Sequence, residues 1–372
     1  DPASGSAIVQ ATAGAGKSTT IIAATLAAPE GADHVVLVFN KSVAEELKGK
    51  GVNARTFHSL TYSPVLRALG LNKVDSNKLR ALVREWPREA AAKYGTAACR
   101  LVGLARNDGI GVLTPDTDQA WLALIDRHEV QPDSDEGNEA GMVAAARRLL
   151  AESNSAKCVD FDDLIYLPVL NAIPLPRFAL VFVDECQDLS PVQIALLRKV
   201  VKPGGRIVAV GDHNQAIYGF RGADSDSMRR LRDAFECKPL PLTITYRCAA
   251  RVVDYALSFG NVEAAPGAPE GEVKTLGTWR MADLPAEAMV LCRTNAPLLK
   301  LAYKMMAARI PCHVMGRDIG SGLVGLINKL QPLPFQSPVV VSLNPFRTPD
   351  PAKVLAEFDY AHPVFDARAI DA

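Results

Sequence analysis

The sequence carries no excess charge of either sign, because 41 Lys and Arg balance 41 Asp and Glu. No global basic field advertises a nucleic-acid partner, so any such site has to be local. No apolar run reaches membrane-spanning length and no signal-peptide pattern is visible, so no membrane partner is expected. The seven cysteines (Cys99, Cys158, Cys186, Cys237, Cys248, Cys292 and Cys312) are scattered, odd in number and free of any C-x-x-C pair. That argues against a disulfide framework and against a zinc or iron–sulfur site, and for reduced thiols in the cytoplasm. An initiating Met is also missing, and the strand-like "SAIVQA" begins almost at once, which leads us to expect native residues upstream.

What is present is an ordinary globular composition, 48% apolar and 22% charged, in 372 residues. That length suffices for two or three domains with cores of their own. Aliphatic strands alternate with helical stretches: "SAIVQA" before "KSTTIIAATLAA", "HVVLVF" before "NKSVAEELKGK", where Asn40 or Ser42 can cap, then "FALVFVD", "SPVQIALLRKVV" and "GRIVAVGD". Unbroken β-branched runs bounded by helices mark a parallel sheet buried on both faces, hence an α/β fold. Residues 75–155 change to helical text rich in Ala, Arg and Glu, a helical insertion in a first domain made of residues 1–74 and 156–240. A second α/β unit is expected over 241–330, with "PLTITY", "AMVLCRT" and "IPCHVMG" as strands, followed by an unassigned Pro-rich tail over 331–372.

Two segments carry nucleotide chemistry. "ATAGAGKST" follows the first strand and opens a helix, which is the setting of a phosphate-binding P-loop. Small residues let the backbone N–H groups of Ala13, Gly14, Ala15 and Gly16 curl round phosphate oxygens, with Ser18 and Thr19 at the helix start. Lys17 can reach the β- and γ-phosphates of ATP, and the Ser18 hydroxyl can hold Mg²⁺. "LVFVDECQD" then sets Asp184 and Glu185 at the carboxyl end of a strand, where α/β proteins bind ligands. Asp184 suits Mg²⁺, and Glu185 suits orienting or deprotonating the attacking water.

The order of these segments resembles the UvrD/Rep-type superfamily 1 DNA helicases. "ATAGAGKST" is similar to their motif I, "VFNKSVAEEL" to Ia, "ARTFHSL" to Ib, "VDECQD" to II, "VGDHNQAIYGFRGA" to III and "LTITYRC" to IV. "FDDLIYLPV" is similar to the segment that usually precedes motif II, and the likeness runs over roughly residues 5–330. It implies a RecA-like parallel-sheet domain, a helical insertion and a partial second RecA-like domain. By this resemblance Gln215 senses the γ-phosphate, Tyr246 stacks on adenine, and Arg247 reaches the γ-phosphate from the second domain. Tyr218 and Phe220 resemble the rings on which single-stranded bases stack, or alternatively buried anchors of their loop. Arg221 ties that loop to the motif II acids, while Gln187 and Asp188 transmit nucleotide state. Thr56, Phe57 and His58 resemble a DNA-backbone contact, with a helix-entry turn as the alternative. Phe39 and Asn40 lie by the DNA, although Phe39 is equally a core candidate.

The resemblance implies an ATP- and Mg²⁺-dependent helicase or translocase, moving 3′→5′ on single-stranded DNA or at single/double-strand junctions. Cys186 stands where the family more usually has Ala. After "GRDIGSGLVGLINKL" we find neither motif V nor motif VI, and the tail resembles no helicase segment. The alternative expectation is a truncated fragment that binds ATP and DNA without turnover.

Overall fold

The first strand leads straight into the P-loop, and the rest of the sheet is assembled around that junction. A computed structural model describes residues 5–29, 31–215, 226–285, 288–292 and 294–314. The chain divides into two compact units, residues 1–274 and 275–372.

In the first unit six strands form one sheet in the order β3-β2-β4-β5-β1-β6. They are β1 (Ala7–Ala11), β2 (His34–Val38), β3 (Ala54–Thr56), β4 (Phe178–Val183), β5 (Val201–Gly211) and β6 (Lys238–Leu242). Every neighbouring pair is parallel. Alternate side chains enter two cores, as a two-sided sheet demands. Val35, Leu37, Val181, Val183, Ile207 and Ala209 enter one, while Val36, Val38, Leu180, Phe182 and Val210 enter the other. The second face is covered by α1 (Lys17–Leu26) and α2 (Lys41–Gly49), through Ile21, Ala44 and Leu47. On the first face lie α3 (Phe57–Leu69), α8 (Asp163–Leu170), α9 (Pro191–Val200) and α10 (Ser227–Phe235).

Local sequence explains the helix starts. "SPVQ" gives α9 a capping box: the Gln193 N–H donates to Ser190 Oγ at 3.3 Å, and the Ser190 N–H to Gln193 Oε1 at 2.8 Å. Pro191 takes the first helical position, where no N–H is needed. Thr56 caps α3 by accepting the Ser59 N–H at 3.1 Å. Asn40 occupies the cap position of α2, but its side chain makes no capping bond.

Between β3 and β4 the chain forms α4 (Lys78–Arg84), α5 (Arg88–Asp108), α6 (Asp118–His128) and α7 (Glu139–Ser155). A bridge between Val74 and Val159 draws together the residues where this excursion leaves and returns. At its base Lys78 Nζ meets Asp163 Oδ2 at 2.6 Å, both fully buried, and Arg106 bonds Asp160 and Asp163.

The C-terminal part of the described chain differs from the sequence expectation. "PLTITY" is shared between two sheets and does not form one strand. Its first residues finish β6, which pairs with β1 along the edge of the main sheet, and the next form β7 (Ile244–Thr245), paired with β8 (Glu263–Ala264). Pro239 and Pro241 are tolerated in β6 because an edge strand has one side without ladder bonds. α11 (Ala250–Ala256) completes this region. In the second unit the described residues hold one α-helix, α12 (Asn295–Ala307), and no strand. The described parts of "AMVLCRT" and "IPCHVMG" are irregular, and Met289 and Leu291 are 74% and 82% exposed, since no neighbouring strand among the described residues covers them. No helix among the described residues is long and apolar enough to cross a membrane.

Candidate active site

Parallel strands aim their carboxyl ends to one edge of the sheet, so the segments leaving β1, β4 and β5 meet there. After β1 the chain turns through Gly14 (φ 74°) and Gly16 (φ 83°), left-handed conformations that glycine adopts without a Cβ penalty. Lys17 and the exposed Ser18 and Thr19 then begin α1. The Lys17 ammonium is largely buried and donates to Glu185 Oε2 at 3.1 Å and to Gln215 Oε1 at 3.5 Å.

Glu185 follows β4 with φ 50°, a strained conformation for a side chain other than Gly or Asn. This turn separates it from its neighbour. Asp184 is 6% exposed and accepts the Glu185 N–H at 3.0 Å. Burial first, and the charge of Glu185 second, push the Asp184 carboxyl up to about 6.

A closed circuit of hydrogen bonds joins three strand ends. Gln187 Nε2 donates to the same Glu185 Oε2 at 2.8 Å, while its Oε1 accepts the Asp212 N–H at 3.0 Å. Asp212 Oδ2 accepts from Gln215 Nε2 at 2.7 Å, and Gln215 returns to Lys17. A single shift of Lys17 is therefore felt by Glu185 and Gln215 together. The circuit is tightly packed: a Cβ on Gly211 would lie 2.5 Å from Gln187 Oε1 and 2.7 Å from Cys186 Sγ. The Cys186 thiol is itself fully buried, and that burial pushes its pKa up, out of reach of any thiolate chemistry. Asp212 was not singled out from the sequence. The Gly-Asp ending of β5, directly before the expected sensor amide, was the available signal.

Arg247 reaches this edge by an unexpected route. It belongs to the same compact unit as the P-loop rather than to a second one. The reason is β6, whose pairing with β1 carries the following residues onto the loop. The Thr12 N–H donates to Leu242 O and the Tyr246 N–H to Gly14 O, both at 3.0 Å. A Cβ on Gly14 would lie 2.5 Å from Arg247 Cβ and 2.6 Å from Thr245 Oγ1. Tyr246 is 74% exposed beside the loop, which leaves its ring open to a planar partner.

Around the ends of β2 and β3, Phe39 is half-buried and Asn40 exposed. Thr56 is occupied as a helix cap, and Phe57 corrects the expectation of a DNA contact: it is 2% exposed and packs in the core. His58 is half-buried, with burial holding its pKa below the usual imidazole range. Gln187 and Asp188 are buried at the carboxyl edge of the sheet. Tyr218, Phe220 and Arg221 lie outside the described residues.

The donor set at this edge suits a hard cation accompanied by phosphate. Ser18 and Asp184 offer oxygen ligands, and a cation beside Asp184 would relieve the burial and repulsion that raise its pKa. Among the described residues no cluster of three or more His, Cys, Asp or Glu could hold a metal alone, so phosphate oxygens would complete the set.

The ATP-dependent DNA helicase srs2 of Schizosaccharomyces pombe is 25% identical over 262 residues, covering 61% of this chain and 29% of that one. DNA helicase II of Escherichia coli is 26% identical over 166 residues, covering 38% and 23%. The ATP-dependent DNA helicase UvrD1 of Mycobacterium tuberculosis is 34% identical over 158 residues, covering 36% and 20%. The chain thus spans less than a third of the length of these relatives. A solved structure, that of VirB4 of Thermoanaerobacter pseudethanolicus, aligns over 69% of this chain and 81% of that one. With 13% identity and a TM-score of 0.28, it carries no argument. Residues 1–236, well over half of the sequence, match the UvrD/REP helicase N-terminal domain. The chain belongs to that family.

Proposed function

We propose that this chain is the nucleotide-binding part of an ATP-driven motor that moves 3′→5′ on single-stranded DNA or at single/double-strand junctions, in the cytoplasm. The observation that carries the reading is the circuit linking Lys17, Glu185, Gln187, Asp212 and Gln215. Lys17 is engaged by Glu185. An incoming triphosphate competes for that ammonium, because three phosphates carry more charge than one carboxylate. Glu185 is then released to orient a water molecule and accept its proton, while Gln215, parted from Lys17, reports the change towards residues 216–225. Mg²⁺ bound by Ser18 and Asp184 would neutralise charge on the phosphates. Tyr246 stacks on the adenine, and Arg247 stabilises charge on the transferred phosphate. We assign residues 1–74 with 156–240 to the first motor domain, 75–155 to its insertion and 241–330 to part of the second.

The alternative reading is ATP and DNA binding without turnover. Steady-state ATP hydrolysis with and without single-stranded DNA separates the two. Strong stimulation supports the motor; binding of both ligands with no hydrolysis supports the fragment. Lys17→Ala is expected to abolish turnover, and a variant hydrolysing ATP at the normal rate would overturn the assignment of the site.

A further inference from the structure

The strands of the main sheet begin at the edge opposite Lys17. There a recess of about 340 Å³ opens between the starts of β4 and β5 and the last turns of α9 and α10. Its walls are Arg177, Arg198, Val201, Lys202, Pro203 and Phe235. Among the described residues it is thus lined by three cations and no carboxylate, on a chain whose charges balance overall. An ordinary solvated face intersperses both signs, whereas this concave one gathers a single sign beside apolar groups.

Local backbone places these groups. β5 changes its register with β4 directly after Val201: Phe178 pairs with Val201, but Leu180 pairs with Arg206. Residues 202–205 therefore stand out of the ladder as a bulge in an interior strand. Glycine makes the bulge possible, with Gly204 at φ 72° and a Cβ on Gly205 only 2.9 Å from Lys202 O and 3.0 Å from Ala179 O. The bulge also lets Pro203, which cannot donate to a ladder, sit within β5. Bulges re-aim side chains, and this one brings Lys202 and Pro203 to the recess. Arg198 is oriented by a bond to the end of α10, donating to Ala234 O at 3.2 Å, which uses one of its five N–H groups. Lys202 pairs with Asp33 Oδ2 at 2.6 Å through one of the three donors on its exposed ammonium.

We propose that this recess is a docking site for an acidic segment of a partner protein. Carboxylates of the segment meet Arg177, Arg198 and Lys202, while a neighbouring apolar side chain lies against Val201, Pro203 and Phe235. Charge complementarity carries the choice of occupant, because a forked guanidinium matches a carboxylate with two parallel bonds. The apolar part of the wall decides against a nucleic acid: a peptide brings a hydrophobic neighbour to its carboxylate, and a sugar–phosphate backbone does not. Since the recess and the P-loop lie at opposite edges of the sheet, partner and ATP can be held at once.

The test follows the fluorescence anisotropy of a labelled peptide of alternating Asp and Leu, beside control peptides with Asn for Asp or Ser for Leu. Wild type is expected to bind the Asp-Leu peptide about tenfold more tightly than either control. Arg177→Gln and Lys202→Gln should each lose about tenfold in that affinity, with the urea midpoint and ATP binding as in wild type. The two variants lie on separate segments, so the comparison stands even if one of them fails to fold. No binding by wild type, equal binding of the Ser control, or unchanged affinity in the folded variants overturns the docking site. Displacement of the peptide by short duplex DNA, whose own binding falls in the same variants, overturns it in favour of a nucleic-acid surface.

Discussion

Asp184→Asn should make the nucleotide-free protein more stable while ending the ATP hydrolysis proposed for it. The buried carboxyl rises from 3.8 to about 6 in the folded protein, so the folded state holds this proton more tightly than the unfolded chain. Below about pH 4 both states keep it and folding carries no penalty. As the pH climbs from about 4 to 6 the unfolded chain ionises more readily, and the folded state loses ground until the full cost is reached above about pH 6. Two pH units correspond to about 3 kcal/mol at most. Asparagine removes the charge, keeps the shape, and offers an oxygen to the Glu185 N–H that now donates to Asp184. Allowing for burial of the new carboxamide, we expect a gain of about 1–3 kcal/mol at pH 8. Urea denaturation at pH 8, 7, 6 and 5, without nucleotide, measures it. The advantage should be constant above pH 7 and shrink towards pH 5. An Asn variant no more stable than wild type at pH 8, or a gap independent of pH, would refute the reasoning. Stability gained at the expense of activity is the signature of a group held in place for chemistry.

The packing of the site and of the insertion sets three further outcomes. Glu185→Gln should bind ATP but lose about 10²–10⁴-fold in turnover, read by single-turnover hydrolysis, because the amide cannot take the proton. Gly211→Ala drives a methyl group into Gln187 Oε1 and Cys186 Sγ and should cost about 1–3 kcal/mol, seen as a lower urea midpoint with an unchanged slope. Lys78→Met leaves Asp163 buried with Arg106 as its remaining ion-pair partner and should destabilise by about 3–5 kcal/mol in the same assay. A loss under about 1 kcal/mol there would mean that the pair is not desolvated.

The strands that the sequence displayed well are those buried on both faces, such as "HVVLVF" and "FALVFVD", where burial imposes an unbroken aliphatic run. β6 was hidden for the opposite reason. An edge strand needs hydrogen bonds on one side alone, so Pro239 and Pro241 could enter it and erase its signature. Arg247 follows that strand, and its place beside the P-loop depends on β6 lying next to β1. Within the site, the sequence pointed to Lys17, Asp184 and Glu185 through the residue types and spacing that phosphate chemistry asks for, and to Gln215 through the resemblance of its segment to motif III. Asp212 was not legible, since its part is to hold Gln215 and its backbone N–H binds Gln187. Phe57 shows the limit of pattern alone: a ring beside a histidine in a helix-entry turn looks the same whether it faces solvent or the core.

The helices between β3 and β4 share a single hydrophobic core with the sheet. Leu101, Trp121, Met142 and Leu149 belong to the same buried cluster as Val181, Val183 and Ile207. Independent swinging of these helices would tear that cluster open and strand the charges of Lys78, Arg106, Asp160 and Asp163. Insertion and sheet are therefore built as one stiff body, and any large bending of the chain is expected to fall elsewhere along it. The boundary that matters mechanically is thus not where the sequence changes from strands to helices, but wherever the shared core ends.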